Sequence, residues 1–264
     1  MHYNLGQQIR IATLVFCVSA AAGAAEIAPP GMVVVSNGVY RALFRGANDL
    51  KEVPVKSFGL DILPVRNGVF LEFVRANPRW QRSRVKRIFA DESYLKNWAG
   101  DLEPGTNAPA DVPVTHVSWF AAKAFAQWKG KRLPTVAEWE LAASASPARA
   151  DGENDLAFKH QVFEWYSSPA PAKLPAAGRS RANFWGARDL HGLVWEWVAD
   201  FNAAMVTGDA RGNSGLERQL FCGAGSVGAK DVDNFPAFMR YGFRSSLKAD
   251  YCVHNLGFRC ATDL

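Results

Sequence analysis

The sequence has few cysteines and no long hydrophobic run beyond its N-terminus. Only 4 of its 264 residues are cysteine, none of them in a C-x-x-C pair, and the five histidines are scattered singly. This pattern gives little support for a zinc or iron–sulfur site. The charge excess is also small, 30 Lys and Arg against 25 Asp and Glu, which is not the charge pattern of a nucleic-acid packaging protein.

The N-terminus has the features of a secretory signal peptide. Residues 1–10 are polar, residues 11–22 form an uncharged apolar run, and the small residues Ala22-Gly23-Ala24-Ala25 precede Glu26. The alternative, a retained membrane anchor, is disfavoured because the run is shorter than the ~20 residues that a membrane span needs. We therefore expect a signal peptide over 1–25, one domain over 26–264, and a periplasmic protein with no membrane partner after signal cleavage.

Aromatic residues are abundant, with 9 Trp, 6 Tyr and 17 Phe, and all the tryptophans lie between Trp80 and Trp197. This distribution favours a core of large rings held between short elements. Local signals predict a strand over 32–35, a helix capped by Asn67, a helix from Ser118 to about Lys129, and a capping box of Thr135 with Glu138. Residues 145–182 are rich in Ala, Pro, Ser and Gly and predict a loop, interrupted by an aromatic patch at 163–166.

A basic cluster lies between residues 75 and 87. It comprises Arg75, Arg79, Arg82, Arg84, Lys86 and Arg87. Nucleic-acid binding is one interpretation, but an exported chain meets little nucleic acid. A solvated face or a patch for an anionic partner is therefore favoured.

Four segments carry recognisable motifs, in order along the chain. They are D-I-L-P-V-R-N-G-V-F at 61–70, P-V-T-H-V-S-W at 113–119 continuing into G-K-R-L-P-T-V-A-E-W-E at 130–140, N-F-W-G-A-R-D-L-H-G-L-V-W-E-W at 183–197, and N-L-G-F-R-C at 255–260. Together they resemble the motifs of the formylglycine-generating enzyme (sulfatase-modifying factor) family, and they bracket most of residues 31–264.

The resemblance implies a single α/β (α+β) domain with the family's C-type-lectin-like fold and little regular secondary structure. It also implies scaffold roles for a set of aromatic and charged residues: Trp119, Glu138, Trp139, Trp195, Glu196, Trp197 and Arg259. Glu196 and Arg259 lie between apolar neighbours. We expect each to pair with backbone groups or an opposite charge, because burying either one unpaired would be costly.

The metal ligands of the family are not retained. Family members bind copper(I) through two cysteines five residues apart after a G-G-S segment, since soft thiolates suit that ion. Aligning Gly225-Ser226 with that segment places Ala229 and Asn234 at the two cysteine positions, and no cysteine pair of that spacing follows the predicted signal peptide. Copper binding and sulfatase activation by this route are therefore not expected.

Calcium and iron are not expected either. Leu193 occupies the position of the asparagine in the family's G-N-V-W-E-W and has no oxygen to offer a calcium ion. The H-x-x-x-H-x-E motif of the iron-dependent relatives is absent from the sequence. In compartment, size and missing motifs the chain resembles a small exported branch of the family, which includes proteins tied to periplasmic pyoverdine maturation and others encoded beside copper nitrite reductases.

The position of the family's active site implies a candidate catalytic pocket. Its residues would be Ser226, Asp231, Arg240, Tyr241 and Arg244. Arginine forks suit a carboxylate or phenolate, and a neighbouring aspartate can act as a general base. The alternative is that residues 231–234 form a solvated loop and the arginines are structural.

Three functions follow from these patterns. The first is a periplasmic maturation enzyme that acts on a small peptide-like or aromatic substrate by oxidoreductase-like chemistry without copper. The second is a non-catalytic binding or assembly factor for a periplasmic partner protein such as a metalloenzyme. The third is a true formylglycine generator. No cofactor and no nucleic acid are expected for the first two.

Three cysteines remain after signal cleavage. The resemblance implies a partner for Cys260 in the helix after V-S-W, where this chain has Ala126, so we expect Cys260 to be a buried, unreactive thiol. Cys222 and Cys252 flank the candidate pocket, and their joint presence in an exported chain predicts a disulfide between them. The alternative is a Cys252–Cys260 bridge, which would close a short loop.

Overall fold

The computed structural model describes residues 27–41, 52–169, 171, 173–202 and 235–264. This part of the chain contains three small sheets and five α-helices. The strands are β1 (Met32–Val35), β2 (Gly38–Tyr40), β3 (Val53–Val55), β4 (Phe58–Asp61), β5 (Trp195–Trp197), β6 (Leu256–Phe258) and β7 (Ala261–Asp263). The helices are α1 (Asn67–Ala76), α2 (Trp119–Trp128), α3 (Val136–Ala143), α4 (Leu156–Ser167) and α5 (Phe235–Ser246), with a 3-10 helix at Pro78–Trp80. The mixed α/β class and the short elements agree with the expectation from the sequence.

The sheets join distant parts of the sequence. Strand β4 pairs antiparallel with both β1 and β7, so that Phe58 lies opposite Val35 on one side and Asp263 on the other. Strands β5 and β6 pair in parallel, with Trp195 opposite Leu256. The W-E-W and G-F-R-C motifs are therefore neighbours in space, and together they form the centre of the fold.

Large rings fill the core between α1, α2 and β6. Phe70 and Phe73 of α1 and Phe125 of α2 are buried, and the rings of Phe70 and Phe125 stack with centroids 5.6 Å apart. Phe258 of β6 meets Phe125 edge-on at 5.3 Å. Each such pair contributes about 0.5–1.5 kcal/mol beyond its buried area. The aromatic core predicted from the composition is confirmed.

The starts of α2 and α3 are the ones the sequence predicts. The Ser118 hydroxyl accepts a hydrogen bond from the backbone N–H of Ala121 (3.2 Å), which caps α2. At α3 the Thr135 hydroxyl accepts from the N–H of Glu138 (3.2 Å), and the Thr135 N–H donates to the Glu138 carboxylate (2.8 Å). Both bonds of the capping box are therefore present.

The predicted cap at Asn67 is wrong. Helix α1 begins at Asn67, its N-cap is Arg66, and no side chain caps this helix. The Asn67 amide is buried instead, where it donates to the Val112 carbonyl (3.1 Å) and accepts from the Trp98 indole N–H (3.0 Å). Tertiary partners thus satisfy the amide that local reasoning assigned to its own helix.

The predicted loop over 145–182 is also wrong in part, because α4 lies within it. The Asp155 carboxylate accepts from the N–H of Phe158 (3.1 Å) and caps this helix, while Val162 and Tyr166, four residues apart, are its buried positions. The Ala, Pro, Ser and Gly content on either side hid a 12-residue helix. Among the described helices, none combines the length and apolar character that a membrane crossing requires.

Candidate functional site

Helix α5 brings two of the predicted site arginines onto one buried carboxylate. Arg240 and Arg244 lie one helical turn apart and both donate to Glu140 of α3. Arg240 bonds it through Nε and Nη2, at 2.8 Å each, and Arg244 through Nη1 at 2.6 Å. The three side chains keep only 10–12% of their surface exposed. The forks that were predicted to bind a substrate anion are therefore occupied by an internal carboxylate.

Aromatic rings surround this Glu140–Arg240–Arg244 cluster. The Arg240 guanidinium lies 5.3 Å from the Tyr166 ring centre, and the Arg244 guanidinium lies 5.1 Å from that of Trp139. Burial acts to raise the pKa of the Glu140 carboxyl, but the two arginines outweigh it and lower that pKa to about 2. All three side chains are therefore charged at neutral pH, and their charges interact strongly with one another.

Of the other three predicted pocket residues, only one lies in the described part of the chain. Ser226 and Asp231 lie outside the described residues, whereas Tyr241 is half-buried on α5. The cavity lined by Arg240 and Tyr166 measures only about 10 Å³, room for a single water molecule. In the described part of the chain the arginines therefore face a closed interior, which favours their structural interpretation.

The second buried ion pair joins two of the family motifs. Arg259 donates to both carboxylate oxygens of Glu196, at 2.8–3.0 Å, and both side chains are fully buried. The indole N–H of Trp139 completes the carboxylate's partners at 2.8 Å. The expectation that each charge would be paired is confirmed.

The remaining scaffold residues also make tertiary contacts. The indole N–H groups of Trp119 and Trp197 donate to the carbonyls of Val198 (3.0 Å) and Val117 (2.9 Å). Glu138 accepts from both terminal nitrogens of Arg132 at 2.7 Å. Trp195 stacks on Phe243 of α5, with ring centroids 4.3 Å apart.

Two of the three expected cysteines are described, and both are buried free thiols. Burial raises the pKa of the Cys252 and Cys260 thiols well above their usual value, so both are protonated at neutral pH. Since these two are free, the alternative Cys252–Cys260 bridge is not formed. Cys222 lies outside the described residues, so its bridge to Cys252, which would oxidise a thiol that is free in this structure, stays a prediction.

The described residues do not fit the metals that the resemblance implies. Copper(I) needs accessible thiolates, whereas Cys252 and Cys260 are 4% and 0% exposed and protonated. At the calcium position, Leu193 is a buried apolar side chain. Within the described ranges, no three His, Cys, Asp or Glu side chains lie close enough together to hold a metal ion.

An open cleft shares Trp165 in its lining with the small cavity at the arginine cluster. It has a volume of about 340 Å³, within the range of small-molecule sites. Helix α4 contributes Phe158, Val162 and Trp165 to its lining, and a second segment contributes Leu190 and His191. Gln161, Glu164 and the exposed Arg181 add polar groups to its lining. We call this site the α4 cleft.

His191 is neutral in the wall of the α4 cleft. Its Nε2 lies 2.9 Å from the Ala143 carbonyl, which fixes the proton on that nitrogen. Burial, helped by the positive charge of Arg240, lowers the pKa of His191 to about 4. Its ring contacts Phe158 and Tyr166 at 6.0 Å, so it joins the cleft to the aromatic surroundings of the arginine cluster.

The loop that leads to His191 is fixed by Asp189. Its carboxylate accepts backbone N–H groups from Gly178 and Ser180, and its own backbone adopts a left-handed conformation, with φ of 58°. Aspartate adopts this conformation more readily than most residues, because its short side chain can hydrogen-bond to nearby backbone. The wall of the α4 cleft is therefore preorganised rather than formed by a free loop.

Reasoning from the sequence missed Glu140, Tyr166 and the α4 cleft. Glu140 follows Trp139 directly in the W-E motif, and a carboxylate between buried helix positions is a signal for a buried partner. Tyr166 and the cleft were missed because the segment that carries them was predicted to be a loop.

Comparison with known proteins gives a consistent set of relatives. The sequence profile of the sulfatase-modifying factor enzyme 1-like domain matches residues 18–264. The chain is 29% identical to the bovine (Bos taurus) inactive C-alpha-formylglycine-generating enzyme 2, over 82% of this chain and 81% of that protein. It is 32% identical to the formylglycine-generating enzyme of Streptomyces coelicolor, over 83% and 82%. Among solved structures, PvdO from Pseudomonas aeruginosa aligns at 20% identity with a TM-score of 0.47, over 88% of this chain and 94% of that one.

Proposed function

The chain belongs to the sulfatase-modifying factor family, and we propose that it is an exported, periplasmic member that acts in the maturation of a peptide-like or aromatic molecule without generating formylglycine through copper. The proposal separates the family scaffold, which is present, from the family's copper chemistry, which needs ligands that this sequence lacks. The observation that best supports this proposal is the α4 cleft.

The lining of the α4 cleft suits such a ligand. Phe158 and Trp165 offer aromatic surface, and the neutral His191 adds no charge to the wall. Arg181 is an exposed cation at the cleft that can reach a carboxylate. A volume of about 340 Å³ accommodates one aromatic side chain with its peptide groups rather than a folded domain.

The cysteines support the exclusion of copper chemistry. A copper(I) site of the family's kind needs two thiolate ligands near one another. The two described thiols are buried and protonated. The sequence offers one further thiol in the mature region, Cys222, and a single thiol provides no pair.

Binding to the α4 cleft is the direct test of the proposal. Purified protein is titrated by calorimetry with short peptides that carry a central Tyr or Trp, and with the same peptides carrying Ala. Gln161→Trp places a ring over the cleft from an exposed helix position, and we expect it to weaken binding of the aromatic peptides about tenfold. His160→Trp lies on the same helix outside the cleft lining and serves as the matched control.

Two outcomes would contradict this assignment. One is equal binding of the Tyr, Trp and Ala peptides. The other is aromatic-peptide binding that Gln161→Trp and His160→Trp leave equally unchanged.

A second candidate is the non-catalytic assembly factor. The observation in its favour is that Glu140 accepts hydrogen bonds from both Arg240 and Arg244, which engages two of the donors expected in the predicted catalytic pocket. A relative at 29% identity carries the word inactive in its name. Mass spectrometry of the bound peptide after incubation with oxygen separates the two functions, because maturation changes the peptide mass and assembly does not.

A further inference from the structure

The basic cluster of the sequence carries charge of one sign only. Residues 75–89 hold six Lys and Arg side chains and no Asp or Glu. Five of the six cations belong to arginine. The segment begins in the last turn of α1, and none of its residues lines the α4 cleft.

Buried residues and hydrogen bonds hold this segment in place. Trp80 and Gln81 are buried, and the Tyr94 hydroxyl donates to the Trp80 carbonyl at 3.1 Å. Arg82 is used in the same way, since its Nη1 donates to the Trp98 carbonyl at 2.6 Å. Turn hydrogen bonds, such as Phe89 N–H to the Lys86 carbonyl at 2.8 Å, fix the rest. The surface is therefore preorganised, which lowers the entropy cost of binding.

The remaining cations are available to a partner. In the described part of the chain none of these five side chains forms an ion pair, and all are exposed: Arg75, Arg79, Arg84, Lys86 and Arg87. The nearby Asp101 carboxylate accepts hydrogen bonds from the N–H and hydroxyl of Ser83, and it also interacts electrostatically with Arg84 and Arg82.

Two apolar side chains project beside these cations. Ile88 is 73% exposed and Phe89 is 41% exposed. One face of Phe89 packs against Trp80 and Phe120, with ring centroids 6.2 and 5.5 Å away, which holds the ring in place. An anchored, half-exposed ring next to arginines is the composition of protein–protein hot spots.

We infer that residues 75–89 form a docking surface for a carboxylate-rich face of a partner protein. Guanidinium forks match carboxylates in a bidentate geometry, and they predominate here over lysine. Ile88 and Phe89 would meet an apolar centre within that acidic face. Three clefts of about 340–380 Å³ in the described residues are lined by other segments, so the inferred contact is with the surface of residues 75–89.

The test uses a labelled synthetic peptide rich in Asp and Glu with interspersed Leu, and its Asn/Gln counterpart. We expect the wild type to bind the acidic peptide and not the neutral one, with affinity that falls as salt is raised. The variant R79Q/R84Q/K86Q/R87Q should bind about tenfold more weakly, and Ile88→Ser should weaken binding without changing the salt dependence. The matched control K56Q/R149Q/K173Q/R179Q removes the same charge from exposed positions elsewhere and should leave binding within about twofold.

Binding measurements with the same variants distinguish an acidic protein partner from other kinds of partner. Equal weakening by the cluster and control variants would overturn the docking surface and leave only a general charge effect. Cluster-dependent binding to phosphatidylglycerol vesicles or duplex DNA, without binding to the acidic peptide, would also overturn it. Gln161→Trp should not affect the acidic peptide, so failure of the α4 cleft and failure of this surface are distinguishable.

Discussion

At the scale of single residues, the decisive group is Glu140. It holds its charge in the interior because Arg240 and Arg244 donate to it together. Removing one partner of a buried ion pair leaves the other charge uncompensated, which costs about 3–5 kcal/mol. The carboxylate therefore connects α3 to α5 and determines where the predicted site arginines point.

We predict that Glu140→Gln destabilises the fold by about 3–5 kcal/mol at pH 7, measured by urea denaturation. The pKa of Glu140 is lowered from 4.5 to about 2, so its contribution is fully present above pH 4.5 and is lost as the pH falls towards 2. The variant should lack this acid-sensitive component. Glu164→Gln, at an exposed position on α4, is the control; an equal loss in both variants would contradict the role of the cluster.

His191 gives a second pH-dependent prediction, whose main cause is burial of the imidazole. Its pKa is lowered from 6.5 to about 4, so the unfolded chain binds this proton more readily than the folded one. We expect stability to fall as the pH drops from 6.5 towards 4, and His191→Gln to remove that component. The exposed His160→Gln should retain it. A measured His191 pKa above 6.5 by NMR titration would be incompatible with a neutral imidazole in the wall of the α4 cleft.

At the scale of elements, helix caps explain why some parts were predictable. Ser118 and Thr135 lie next to the helices they cap, so a few consecutive residues contain the whole signal. Asn67 has the same side-chain chemistry, but its partners are more than 30 residues away in sequence, at Trp98 and Val112. Local patterns predict local hydrogen bonds and miss such distant ones.

Helix α3 offers a direct test of a cap. We predict that Thr135→Ala costs about 1 kcal/mol of stability, because the Glu138 N–H loses its acceptor. Thr106→Ala, at an exposed turn position, should change stability by less than about 0.5 kcal/mol. Equal denaturation midpoints for the Thr135→Ala variant and the wild type would show that the capping box does not stabilise α3.

The segment before the last two strands carries the cysteine prediction. A Cys222–Cys252 disulfide would close a loop of about 30 residues and contribute roughly 3–4 kcal/mol by restricting the unfolded chain. We expect a disulfide-linked peptide containing both residues in non-reducing peptide mapping, with Cys260 reduced. A Cys222 peptide that alkylates without reductant would end this prediction.

At the scale of the whole molecule, the motifs predict the fold better than the site. W-E-W and G-F-R-C meet as β5 and β6, and the Glu196–Arg259 pair lies between them. Glu140 and Arg240 are 100 residues apart in the sequence, and the residues around one of them do not identify the other as its partner. The α4 cleft combines three separate segments, so it could be found only after the chain had been folded.

The central claim is that this scaffold works without the copper chemistry of formylglycine formation. It is tested most directly by incubating the purified protein with copper(I), oxygen and a peptide containing C-x-P-x-R, beside the Streptomyces coelicolor formylglycine-generating enzyme as the positive control. We predict no change in the mass of the peptide cysteine with this protein, because positions 229 and 234 carry Ala and Asn and the described thiols are buried. The mass loss characteristic of formylglycine, produced by this chain, would contradict the account.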